Sequence, residues 1–304
     1  MKLPQRSYFL RYPVLAVCLG SAIFAMLPPV SPVYAQAAPG QGALVPPELP
    51  PRAWVDAAAA NELHVIQGDG KLHLRYRTHK VDSKEDVTRE VIETRDGTVA
   101  RLVERNGQKL TAEEDAAERE RLKEILDSPG DFIKHHKRDD SMRHDSIQLV
   151  SQMPQAMIYT YVPGQPQMPG ATGRQVVIDF EPDPNYKAQE TLDDLLTGIK
   201  GRMWIDAQSR RVVRIEGIVQ KDVSFGWGIL GKINQGGTIV LEQTNAAGDR
   251  WVYSRLDTHL TMRVVIKTVV MNDKMTASDF RPLPGPVSVQ EAVHTLLAMP
   301  VPLR

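Results

Sequence analysis

Asp179 and Glu181 stand two residues apart, in the run Val176-Val177-Ile178-Asp179-Phe180-Glu181. On a strand that spacing puts both carboxylates on one side. A carboxylate pair is the minimum equipment of a glycoside hydrolase. The plainer reading is a solvated strand edge beside Pro182. His135 and His136, with Asp139, Asp140 and His144, form a second cluster of possible ligands. Metal sites on helices favour histidines four residues apart, on one face. Adjacent histidines point in different directions, and Lys134, Lys137 and Arg138 would repel a cation, so this cluster reads as a solvated charged face. The chain has no Gly-x-Ser-x-Gly elbow, no phosphate-binding loop ending in Gly-Lys-Ser/Thr and no His-Glu-x-x-His. No catalytic residue, metal or cofactor is assigned.

The third stretch is apolar. Phe225-Gly226-Trp227-Gly228-Ile229-Leu230-Gly231 sets two aromatics and two aliphatics among glycines. Exposed apolar loops touch membranes or partners, so Phe225, Trp227, Ile229 and Leu230 are candidate ligand-binding residues with transient membrane contact. The other reading is core, with the glycines permitting a tight bend.

Three elements in a row must position whatever works here. Leu72, Leu74 and Tyr76 alternate with His73, Arg75 and Arg77, which predicts a half-buried strand. Asp86 to Thr94 and Thr98 to Arg105 are the next two, separated by the turn signals Asp96-Gly97 and Asn106-Gly107. Together they predict an antiparallel meander. A short helix over Trp54 to Leu63 precedes it. Thr111 and Glu114 form a capping box, and a helix over 111–128 follows, ended by Pro129-Gly130. Another helix, or a pair, is expected over 131–150, so that the block 111–150 lies across one side of the sheet.

Strands then resume at 176–180, 202–206, 211–219, 238–243, 251–256 and 260–270, for nine to eleven in all. An amphipathic helix is expected over 287–298. Phe180, Met203, Ile205, Val213, Ile215, Leu241, Met262 and Val264 fall at the inward parity of these strands, and are candidates to line a cavity. The expected class is α+β, mostly β: a curved antiparallel sheet, an incomplete barrel covered by helices.

The first 35 residues carry a positive flank (Arg6, Arg11), a 14-residue mostly apolar run from Val14 to Leu27, and Val33-Tyr34-Ala35 before Gln36. That is the pattern of a secretory signal peptide. The run is short for a membrane span of about 20 residues, although an uncleaved anchor is the other reading. The divisions expected are signal peptide 1–35, Pro/Ala/Gly-rich linker 36–51, main domain 52–286 with a helical insertion at 111–150, and C-terminal helix and tail 287–304.

Over the whole chain 37 basic residues balance 37 acidic ones, and loss of Lys2, Arg6 and Arg11 leaves 34 against 37. That is no footprint for nucleic acid. The one cysteine, Cys18, lies inside the signal run and follows Val17, so the exported chain has no thiol and its stability rests on a packed core.

A resemblance now adds to this reading. Arg101 to Leu122 (RLVERNGQKLTAEEDAAERERL), Gly201 to Gly217 (GRMWIDAQSRRVVRIEG), and Gly236-Gly237-Thr238 with Trp251 are similar to bacterial periplasmic outer-membrane lipoprotein-sorting proteins. The resemblance spans roughly 54–281. It implies the half-barrel of the LolA and LolB carriers, an incomplete antiparallel barrel lidded by helices that holds lipoprotein acyl chains. The expectation is therefore a periplasmic, non-enzymatic protein that shelters lipid or lipoprotein acyl chains. The alternative is an envelope interaction or sensing module that binds a protein partner through the charged block 111–150. An envelope enzyme built on Asp179 and Glu181 is the third.

Overall fold

In the computed structural model the described residues are 49–67, 73–136, 139–225, 231–248, 250–264 and 267–304, with backbone alone at 134–136, 139–143, 225 and 264. Helix α1, Pro51–Gln67, opens with Pro51 in its first turn, where a missing N–H removes no helical bond. Strands β1 (Leu74–Val81), β2 (Asp86–Thr94) and β3 (Gly97–Arg105) pair antiparallel. Asn106 and Gly107 both adopt positive φ, +52° and +67°, and turn β3 into the two-residue β4, Gln108–Lys109. Paired positive φ is what a two-residue primed hairpin turn requires.

Helix α2 (Ala112–Asp127) starts at the capping box. Glu114 N–H donates to Thr111 Oγ1 at 3.1 Å, and Thr111 N–H to Glu114 Oε2 at 2.8 Å. Helices α3 (Pro129–His136) and α4 (Asp139–Ala156) follow, then β5 (Met157–Tyr161) and β6 (Gln175–Pro182). A 3₁₀ turn at Thr191–Thr197 leads into β7 (Ile199–Asp206) and β8 (Val212–Val219). A short hairpin, β9 (Val223–Phe225) and β10 (Gly231–Ile233), precedes the long strands β11 (Thr238–Ala247), β12 (Arg250–Val264) and β13 (Lys267–Pro282). Helix α5, Val289–Ala298, is capped by Ser288.

These strands form one curved antiparallel sheet that does not close into a barrel. Its order is β4-β3-β2-β1-β13-β12-β11-β8-β7-β6-β5, and the β9–β10 hairpin pairs with the far end of β12. The last strand thus docks beside the first. On the outer face charges alternate across the register. Arg202 lies opposite Asp179 and Glu216, and Glu242 lies between Arg214 and Arg255. Opposite charges in register support the pairing, and a slip by one residue would carry them to the apolar side.

The helices divide between the two faces. Helices α1 and α4 cover the inner face, over Val176, Ile178, Phe180, Met203 and Ile205. Helices α2 and α5 cover the opposite face at the other end, over Ile92 and Val99. The block 111–150 therefore does not lie across one side, as the sequence suggests. It passes from one face to the other through α3, and its last helix runs on to Ala156.

Other expectations shift. Helix α1 extends past Leu63 to Gln67, the first strand is described from Leu74, and Leu72 lies outside the described residues. Thirteen strands are present among the described residues. The expected strand 260–270 is the end of β12 and the start of β13, paired Val264 to Lys267. No glycine, proline or asparagine marks that reversal in Val264-Val265-Ile266-Lys267. The expected signal peptide 1–35 and all but the last residues of the expected linker 36–51 lie outside the described residues, and no helix among those described is long and apolar enough to cross a membrane.

Burial pushes the carboxyls of Asp82, Glu85 and Asp115 up, but their partners outweigh it. Lys80 and the Lys84 N–H hold Asp82 below its ordinary range, Arg89 and Lys80 hold Glu85, and Arg119 and Arg101 hold Asp115. A depressed carboxylate stabilises the fold above its unfolded value and loses that contribution as pH falls through the folded one. The urea midpoint is therefore expected to stay level from neutrality to about pH 5 and to drop below about pH 4. A midpoint that rises on acidification contradicts this assignment.

Candidate functional site: an apolar cavity beneath two helices

Helix α1 turns Val55, Ala58, Ala59 and Glu62 to the sheet, at i, i+3, i+4 and i+7. Helix α4 adds Leu149, Val150 and Met153. The alanines are stubs, and the sheet beneath is concave, so roof and floor do not meet. What remains is a cavity of about 210 Å³. That exceeds the roughly 150 Å³ apolar cavities that stay dry and admit small hydrocarbons. Ile199, Val212, Ile215 and Ile239 line it and stay half-buried although they sit on the covered face.

The roof is pinned in place. Asn61 Nδ2 donates to the carbonyls of Ser209 and Arg210 at 3.2 and 3.0 Å, and Arg211 donates back to the Asn61 carbonyl at 3.1 Å. The Arg210 guanidinium lies over the Trp54 ring, 5.7 Å from its centre. Gln148 on α4 donates to Asp193 at 2.8 Å, and the Tyr159 hydroxyl to the Met153 carbonyl at 2.6 Å. On the floor, Phe180 lies against Gly201 of the neighbouring strand. A Cβ at Gly201 would come within 2.8 Å of the Phe180 ring and would collide with the Glu216 carbonyl oxygen, so glycine there allows the ring to pack against the neighbouring strand.

Polar groups gather at one end. Glu62 accepts the Tyr253 hydroxyl at 2.5 Å and Gln243 Nε2 at 3.1 Å. Thr258 lies further along the floor. The rest of the lining is hydrocarbon and methionine sulfur.

The cavity brings together Phe180, Met203, Ile215 and Leu241. Ile205 shares their face but is packed solid in the core beside Trp54 and Leu149. Met262 does not line the cavity, but is buried in the cluster that holds Ile233 and Val269. Val213 is a correction. A bulge pairs Trp204 with Arg214 but Ile205 with Val212, so Val212 takes the cavity position and Val213 turns to the opposite face, against Val177 and Trp204. The side chains of Phe225 and Val264, and all of Trp227, Ile229 and Leu230, lie outside the described residues. The hairpin that carries that loop is described. Its Val223 and Ile233 line the cavity.

Asp179 does not converge with Glu181 on a pocket. It holds Arg202 at 2.7 and 3.1 Å on the outer face, and Glu181 is exposed. His144 is exposed, and the other members of its cluster have side chains outside the described residues. Among the described residues no group of three or more His, Cys, Asp and Glu is placed to hold a metal ion.

Sequence reasoning expected helices over the sheet but named none of their residues as cavity lining. The available signal was Glu62, a single charge in an apolar stripe begun by Val55 and Ala58. No known protein family, curated protein or solved structure matches this chain.

Proposed function

We propose that this chain is an exported carrier for lipid or lipoprotein acyl chains, and that it works by burial rather than by chemistry. The observation that supports it is the unfilled apolar cavity between α1, α4 and the inner face of the sheet. Each methylene moved from water into such a space contributes about 0.8 kcal/mol, so a chain can be held without a charged anchor. The resemblance of 101–122 and 201–217 to lipoprotein-sorting proteins agrees with this reading, as does the signal-like segment 1–35. A packed, cavity-free core would instead have favoured an envelope sensing module that binds a protein partner.

The test is titration of the full chain with the uncharged probe N-phenyl-1-naphthylamine. Saturable fluorescence at a single site, competed by alkyl chains, is the expected result. A linear, non-saturating signal overturns the reading. The loop gives a separate prediction: Phe225→Ser with Trp227→Ser slows transfer of the cargo to lipid vesicles and leaves the melting temperature unchanged. Loss of folding in that variant would make the loop part of the core.

A further inference from the structure

The polar end of the cavity bears on the head of the ligand. Gln243 is 9% exposed and Thr258 is 5% exposed, and both line the cavity from the floor. Gln243 Nε2 donates to the Glu62 carboxylate, which can receive only a donor there. That bond fixes which way the amide points. Its Oε1 is turned elsewhere and is buried without a hydrogen-bond partner. Thr258 Oγ1 is likewise buried and unpartnered, about 13 Å further along the strands by register. A buried acceptor left unsatisfied is unfavourable by an amount that a matching donor recovers.

Charge at this end points the same way. Glu62 faces the cavity, with its second oxygen held by Tyr253. In the adjoining small crevice Glu93 is engaged by Arg250 at 3.3 Å, so that pair is compensated and the Glu62 carboxylate sets the local sign. A second carboxylate buried beside it would meet like charge in a poorly hydrated site. An uncharged hydroxyl or amide N–H brings no like charge, and supplies the donor that the buried Gln243 Oε1 lacks.

Resting on the carrier reading above, we infer that the preferred ligand is a single-chain lipid with an uncharged hydrogen-bond-donating head, a hydroxyl or an amide. Its head donates to Gln243 Oε1, and its chain runs under α1 and α4. Lipids with an ionised carboxylate head are rejected by Glu62.

The experiment is displacement of N-phenyl-1-naphthylamine from the full chain at neutral pH by dodecane, 1-dodecanol and dodecanoate. Dodecanol is expected to bind about tenfold tighter than dodecanoate, and Gln243→Met to weaken dodecanol about tenfold while dodecane is unchanged. The ligand series on the unaltered chain stands even if that variant does not fold. Dodecanoate binding as tightly as dodecanol, or a folded Gln243→Met chain that keeps the preference, overturns the head assignment. Dodecane binding with no gain from the hydroxyl overturns it too, yet leaves the carrier reading intact. No displacement by any of the three overturns both.

Discussion

Arg101→Met should melt roughly 10 °C below the parent chain, the largest loss of stability expected from one substitution. Arg101 projects from β3 on the α2/α5 face and is 0% exposed. Its guanidinium donates to the Asp115 carboxylate at 2.6 Å, in the first turn of α2. It also donates to the carbonyls of Leu296 and Met299, at the C-terminal end of α5. The Leu296 carbonyl also accepts the Met299 N–H that closes the helix, at 3.3 Å, and a cation at a helix C-terminus is favoured by the helix dipole. One side chain therefore ties a strand to two helices, and supplies donors to a buried carboxylate and two carbonyls.

Truncating one member of such a buried network costs about 3 to 5 kcal/mol, and each kcal/mol moves the midpoint of a domain this size by about 2 to 4 °C. Arg101→Lys keeps the charge but not the planar fork, and should fall between. Thermal denaturation followed by circular dichroism checks the order. A methionine variant as stable as the parent would mean that this network contributes nothing net.

The second large effect is on binding. Ala59→Phe should lower the affinity for N-phenyl-1-naphthylamine at least tenfold, with no loss of melting temperature. Ala59 lies on the cavity side of α1 and is half-buried among apolar groups. A ring there occupies the space a chain would take. Filling a cavity commonly stabilises by about 0.5 to 2 kcal/mol, which outweighs a few tenths of helix propensity lost from alanine. Ala60→Phe, one residue on and exposed, is the control, and should leave the affinity as it was. Equal affinity in both variants would place the probe elsewhere.

Local chemistry carried much of this fold into the sequence. The Asn106-Gly107 turn, the Thr111/Glu114 box and the 86–94 strand are set by neighbouring residues, and are legible for that reason. Of the eight cavity candidates that period two offered, Phe180, Met203, Ile215 and Leu241 line the floor. The misreadings have tertiary causes. A bulge exchanged Val213 for Val212, and nothing in the side-chain types announces an extra residue. Asp273 sits at the inward parity of β13, between Met271 and Met275, and breaks the apolar period there. Strand β5 follows α4 with no turn residue between Ala156 and Met157. Which strands α1 roofs over was hidden, because an alanine run reports helix propensity and says nothing of what lies below. The space itself comes from what the alanines lack, so it emerges only when helix and sheet are placed together.

The most direct test of the central claim is native mass spectrometry of the protein purified from the periplasm of an expressing cell, followed by organic extraction. The account predicts an added mass that survives gentle ionisation, is released by collision, and is recovered in the solvent as a single-chain lipid. Protein that travels bare, and also fails to take up N-phenyl-1-naphthylamine, would contradict the claim that this cavity exists to be filled.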